Sequence, residues 1–192
     1  MINVFKFFGK FPISFLRGLG AISSCIYWIF SKKFRLKFKK NWDIANKFSN
    51  GSLDQFSYFA AVKNSGASIF ELPKIWCDKK LINKIETKDL ILIGNLLKQK
   101  KGLICLTPHM GSFELIPRVI SQKYPVNVLY KPSSNRHFEK IFQELRPSDK
   151  IKMVTTSFSG VKKLLYALKK GEVVGLLPDQ VPPKLFDNRC FA

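Results

Sequence analysis

Apolar positions in this chain form one long early block, then a series of short runs separated by polar turns. Residues 11–31 carry a single charge, Arg17, over 21 positions. A helix of that length rises roughly 30 Å, about the thickness of a bilayer's hydrocarbon core. Arg17 lies near one end, where its head group can snorkel to the interface, and Tyr27 and Trp28 lie towards the other, where aromatic belts form. From Trp42 to about residue 69 the pattern is mixed, with Phe48, Phe56, Tyr58 and Phe59 spaced loosely as on helices and a turn at Asn50-Gly51-Ser52.

A regular alternation then begins. Residues 90–100 read as the end of a helix stopped by Lys101-Gly102, and 103–107 as a short apolar strand. Helices follow over 112–122, 136–145 and 160–170, and strands over 126–130, 151–154 and 173–177. Val161, Leu164, Leu165 and Leu168 share one face of the last helix. Short apolar strands alternating with helices predict an α/β fold with a mostly parallel sheet flanked by helices. Two parts are expected: residues 1–41 as an N-terminal membrane anchor with its basic flank, and 42–192 as the folded domain.

Charge sharpens this picture. The 192 residues hold 33 Lys and Arg against 13 Asp and Glu, a formal net charge of +20, beside 46% hydrophobic residues. So apolar a chain is not a disordered polybasic tail, and its single long apolar block excludes a polytopic membrane protein. A basic, core-forming protein seeks an anionic partner: nucleic acid, an anionic membrane surface, or an acidic or phosphorylated substrate. Six of the nine residues 32–40 are basic, and no acid precedes Asp43. By the positive-inside rule this flank stays cytoplasmic, and the rest of the chain with it. The early block also fits an in-plane amphipathic anchor, given Arg17 and the glycines at 18 and 20, or a buried core helix. A signal peptide fits less well, because Ile26-Tyr27-Trp28-Ile29-Phe30 continues the apolar run past any clean cleavage site, Ile22-Ser23-Ser24-Cys25 included. No RNA- or DNA-binding signature accompanies the charge, which ranks nucleic acid last.

The cysteines at 25, 77, 105 and 190 form no C-x-x-C pair, so neither a zinc site nor a dithiol redox motif is indicated, and reduced thiols in the cytosol are expected. In parallel sheets ligands bind beyond the carboxyl ends of the strands. Those positions hold Pro108-His109-Met110-Gly111-Ser112-Phe113-Glu114, then Lys131-Pro132-Ser133-Ser134-Asn135-Arg136, then Pro178-Asp179-Gln180. His109 and Glu114 are five apart, about 140° in azimuth on a continuous helix. They meet only if His109 stands on the turn before a helix and Glu114 in its first turn, with Gly111 freeing the turn and Ser112 as N-cap. Such a carboxylate–imidazole pair acts as a general base on a hydroxyl. The same residues also suit a structural histidine and a first-turn acid favoured by the helix dipole. Asp179 reads either as a strand-end site acid or as a turn former between Pro178 and Pro182. Arg146 and Lys131 suit phosphate groups, although each alone reads first as a solvated surface charge, as do His137 and the lysine pairs 162–163 and 169–170.

The stretch from Gly102 to Pro182 resembles the lipid A biosynthesis acyltransferases, the late lauroyl- or myristoyl-transferring enzymes. The resemblance rests on the His109-x4-Glu114 block after a strand, on Tyr130-Lys131-Pro132 with Asn135 and a helix ending in Arg146, and on Leu176-Leu177-Pro178-Asp179-Gln180. Arg17-Gly18-Leu19-Gly20 and Glu71-Leu72 before Trp76 fit the same run. It implies a glycerolipid-acyltransferase-like domain on the cytoplasmic face of a bacterial inner membrane, held by one N-terminal helix. It further implies transfer of a fatty acyl chain from acyl carrier protein, or coenzyme A, to a hydroxyl of an anionic glycolipid, without metal or other cofactor. His109 would be the base, Glu114 its orienting acid, and Arg146, Asp179, Lys131 and Gln180 substrate-binding residues. Phe113 stands where the family often has tryptophan, and Lys131 where arginine is common. The closing residues 186–192 do not match the family's continuation, so a truncated chain is expected, active or surviving as a membrane-bound remnant. Another glycolipid or a phospholipid is the alternative acceptor.

Overall fold

The computed structural model describes residues 2–88 and 90–179, which form two compact units, Ile2–Lys79 and a second that begins at Lys80. Gln180 and residues 186–192 lie outside the described residues.

The first unit is helical: α1 (Ile2–Phe8), α2 (Ile13–Phe30), α3 (Lys32–Phe48), α4 (Tyr58–Phe70) and α5 (Leu72–Cys77), with a short 3-10 turn at Ser52–Gln55. Helix α2 begins after Pro12, whose fixed φ suits a helix start. It ends where Ser31 turns extended and caps the next helix, its hydroxyl accepting from the Phe34 amide at 3.2 Å. Arg35 reaches back and donates to the Trp28 carbonyl at 2.9 Å, satisfying an orphan acceptor at the end of α2. Ser57 caps α4 in the same way, accepting from Ala60. By length and composition α2 is apolar enough to cross a membrane.

Helices α2 and α4 pack antiparallel through small residues. Leu16, Gly20 and Ser24 are the buried residues of α2, and Val62, Gly66 and Ala67 those of α4. A methyl group on Gly66 would stand 2.1 Å from the Gly20 carbonyl oxygen, so only glycine lets these backbones meet. Beside this crossing Arg17 donates to Glu71 at 2.8 Å, and Glu71 is wholly buried. Trp28 donates to the Tyr58 hydroxyl at 3.3 Å at the other end. Helix α1 folds onto α5, with Phe5 stacked on Trp76 at 5.4 Å.

Helix α6 (Lys79–Asn83) leads into the second unit, where α7 (Leu90–Leu97) precedes β1 (Leu103–Leu106). Then come α8 (Leu115–Ser121), β2 (Val126–Tyr130), α9 (Arg136–Leu145), β3 (Ile151–Thr155), α10 (Phe158–Lys169) and β4 (Val173–Leu176). The four strands form one parallel sheet in the order β1-β4-β2-β3, flanked by helices. Strand alternation sorts the core into two layers. Val126, Val128, Ile151 and Val173 pack with Leu90 of α7 and Ile120 of α8, while Val154 and Val174 pack with Leu164 and Ala167 of α10. The strands match the apolar runs to within a residue. Helix α8 starts three residues later than its pattern predicts, because 112–114 form a turn in which the Leu115 amide bonds to the Ser112 carbonyl. Its N-cap is Glu114, not Ser112.

Candidate functional site

Parallel pairing of β1 with β4 brings the chain after Leu106 alongside the chain after Leu176, and Thr107 extends that ladder by donating to the Leu176 carbonyl. His109 and Asp179 lie just beyond. The Asp179 carboxylate receives the His109 backbone amide at 2.8 Å on one oxygen and faces Nδ1 at 2.7 Å with the other. These two hydrogen bonds, the backbone one first, hold the Asp179 carboxyl below its ordinary pKa. An ionised carboxylate only accepts, so Nδ1 carries the proton and Nε2 the lone pair. The two side chains are about a third exposed, 36% and 35%. The Phe113 ring stands edge-on to the imidazole at 5.1 Å. Gly111, at φ +55°, supplies the left-handed residue on which the turn between His109 and Glu114 pivots.

Glu114 has a different partner. Arg146, at the end of α9, grips it with two nitrogens, Nε at 3.2 Å from one carboxylate oxygen and Nη2 on the other. Both side chains are largely buried, Glu114 at 9% and Arg146 at 15% exposure. The guanidinium is also flanked by the rings of Phe142 and Tyr130 at 5.5 and 5.9 Å. Arg118 of α8 donates to the Arg146 carbonyl at 3.3 Å and to that of Leu145, so α8 and α9 are tied together on both sides of the pair.

A third network supports the arginine. Glu139 accepts from the Tyr130 hydroxyl at 2.9 Å and the Ser133 amide at 2.8 Å, and the Ser133 bond chiefly keeps its carboxyl below the usual range. Burial, then the bond to Glu139, pushes the Tyr130 phenol up. Asn135 caps α9 by accepting from His137 and Phe138, which fixes the turn after β2.

Of the residues singled out in the sequence, His109 and Asp179 are brought together, and so are Glu114 and Arg146. The expected His109–Glu114 pairing is not the one formed: the acid on the imidazole is Asp179, 70 residues away. Lys131 follows β2 and is exposed, as is His137. Arg118, Glu139 and Phe142 surround the Glu114–Arg146 pair at positions that the sequence pattern did not single out. Only Glu139 carries a legible signal, as the acid in the first turn of α9.

The Glu114–Arg146 pair borders an apolar recess of about 30 Å³, also lined by Cys105, Phe113, Ile116 and Leu177. Burial pushes the Cys105 thiol up, which makes it a poor nucleophile. Among the described residues no three His, Cys, Asp or Glu side chains gather as a metal site would need.

Residues 55–184 match the family model of the bacterial lipid A biosynthesis acyltransferases. The chain is 27% identical over 105 residues to a lipid A biosynthesis palmitoleoyltransferase from Escherichia coli strain K12, and equally to a lipid A biosynthesis acyltransferase from Shigella flexneri. Each match covers 55% of this chain and 34% of the relative, so the chain aligns with about a third of each relative's length.

Proposed function

This chain belongs to the bacterial lipid A biosynthesis acyltransferase family, and from that premise we propose that it transfers a fatty acyl chain from a thioester to a hydroxyl of a lipid A precursor. The donor in this reading is acyl carrier protein or coenzyme A. The acceptor is an anionic glycolipid at the cytoplasmic face of the inner membrane. The +20 net charge supports both an acidic carrier protein and an anionic lipid surface.

The observation that carries the reading is the Asp179–His109 pair at the carboxyl ends of two adjacent parallel strands. Asp179 holds the tautomer in which Nε2 is basic. Nε2 takes the proton of the acceptor hydroxyl as its oxygen bonds to the thioester carbonyl carbon. The carbon–sulfur bond then breaks, and the imidazolium returns the proton to the departing thiolate, so ester and thiol are the products. A positioned general base of this kind contributes about 10²–10⁴ in rate. Glu114 and Arg146 act on the site in this account as a buried clamp, fixing the turn that carries His109. Lys131, exposed after β2, is left to meet anionic groups of the substrates; Gln180 has a binding role in this reading from its place in the motif alone.

The test is acyl transfer by the detergent-solubilised protein from acyl carrier protein thioester to a lipid A precursor. Product formed by the wild type and abolished in a folded His109→Ala variant is expected. Undiminished transfer by His109→Ala would remove the proposed base, and product on phospholipid alone would replace the acceptor.

A further inference from the structure

We infer that the helical unit Ile2–Lys79 meets the membrane in plane, from one face, and that α2 does not cross the bilayer. The inference rests on the membrane-bound reading above and specifies how the attachment is made. Its starting point is the pairing of α2 with α4. Arg17 and Glu71 meet at one end, the Gly20 and Gly66 backbones in the middle, and Trp28 and Tyr58 at the other, so the helices run antiparallel along most of α2. If α2 spanned, α4 would have to span beside it. Helix α4 has 13 residues, a rise of about 20 Å against the roughly 30 Å of a bilayer core. It also exposes Lys63 and Asn64 at its middle.

Chain direction gives a second contradiction. A spanning pair returns the chain at Glu71 to the side on which residues 2–12 lie. This agrees with Phe5 stacked on Trp76 and with Gly9, where an added methyl group would meet the Pro73 carbonyl at 2.7 Å. The basic helix α3 would then lie across the membrane from everything after residue 71. The positive-inside rule would keep α3 cytoplasmic and send the histidine-bearing unit to the opposite face, away from any cytoplasmic thioester.

Lying in plane, the unit meets neither difficulty. Phe15, Ile22, Ile26 and Ile29 form an exposed stripe on α2 nearly opposite the buried Leu16, Gly20 and Ser24. That stripe suits the acyl-chain boundary of one leaflet. An apolar hollow of about 180 Å³ lined by Phe5, Phe8, Leu16, Ile69, Phe70 and Pro73 offers space for part of a lipid chain. Beyond the other end of α2, α3 presents Lys32, Lys33, Lys37, Lys39 and Lys40 as exposed cations, with exposed Leu36 and Ile44 on the same helix, a composition suited to anionic headgroups. The occupant of the stripe is therefore an anionic lipid leaflet.

The full chain, its native cysteines replaced by serine and Ile2→Cys introduced, is expressed in a Gram-negative host and treated with a membrane-impermeant maleimide. Expected is labelling in inverted inner-membrane vesicles and none in intact spheroplasts, with the protein in the membrane fraction. Labelling in spheroplasts would show that α2 spans and overturn this inference, while transfer by the detergent-solubilised protein, which does not depend on topology, tests the proposed function separately. Recovery of the wild type in the soluble fraction would overturn the inference and the membrane attachment together. Because cysteine replacement can disturb folding, an N-terminal green fluorescent protein fusion of the unaltered chain gives an independent readout. Fluorescence on the membrane is expected, and a dark, exported fusion contradicts it. Ile22→Lys with Ile26→Lys, on the exposed stripe, is expected to shift folded protein to the soluble fraction; retention on the membrane would rule the stripe out as the contact face.

Discussion

The helical unit and the sheet unit each bury a glutamate against an arginine, Glu71 with Arg17 and Glu114 with Arg146, but the sheet unit also keeps Asp179 partly open against an imidazole. The contrast separates two uses of a carboxylate. A buried acid gripped by a guanidinium cannot change its charge without leaving its partner uncompensated, so it serves as a fixed point of the fold. A partly exposed acid on a histidine ring can stabilise the proton that the ring gains and loses. Glu114 therefore belongs with Glu71, and Asp179 stands apart from both.

Substitutions can break that distinction. The largest expected effect is on Asp179→Asn, which keeps the shape and loses the negative charge that selects the tautomer. A fall in kcat of about 10³–10⁴ is expected, as when the acid of a catalytic triad is neutralised, with only a small change in thermal midpoint. Single-turnover acyl transfer would measure it, and a near wild-type rate would return the role of histidine partner to Glu114. Next is Glu114→Ala, which takes the bidentate acid from a buried arginine and is expected to cost about 3 kcal/mol in denaturant-induced unfolding. Were Glu114→Ala to abolish transfer at unchanged stability, the assignment of Glu114 to the fold would be wrong.

In the helical unit, Gly66→Ala forces apart backbones that now touch, an overpacking cost of about 1–3 kcal/mol. The matching observation is loss of protease resistance in the N-terminal unit, and an unaffected unit would mean that α2 and α4 are not so closely packed. The smallest effect is a pH dependence. Asp179 has its pKa lowered on folding, so its contribution to stability is complete above the unfolded value of about 3.9 and is lost as pH falls through the lower folded value. The difference in thermal midpoint between wild type and Asp179→Asn should therefore be constant near neutrality and shrink only at acidic pH. A difference that shrinks near neutrality instead would assign the titration to another group.

The sheet was legible because each strand is a short apolar run bounded by turn residues, as in Gly102 before Leu103 and Pro178 soon after Leu176. The strand-end rule also put His109, Lys131 and Asp179 near one edge. Pairings were not legible, because partners are set by strand order and not by proximity in the chain. His109 has Glu114 five residues away, but β4 beside β1 delivers Asp179 from 70 residues away. The α2–α4 crossing left even less trace. Gly20, Ser24 and Gly66 contribute no hydrophobic signal, so a helix that reads as a lone membrane span proves to have a close partner. Helix α3 escaped for the opposite reason, its apolar face being diluted by lysines.

Strand order also dictates when the molecule can become itself. Strand β4, the last of the four to leave the ribosome, sits between β1 and β2, which share no edge of their own. A nascent chain can pair β2 with β3 as soon as residue 155 emerges, but β1 must wait, its hydrogen-bonding groups unmet, until residues 173–176 slot into the gap. The keystone strand is followed within three residues by Asp179, so the same late event that closes the sheet also completes the histidine pair. Half-made protein, on this logic, lacks the proposed catalytic pair: the chain assembles it only at the moment it acquires its core.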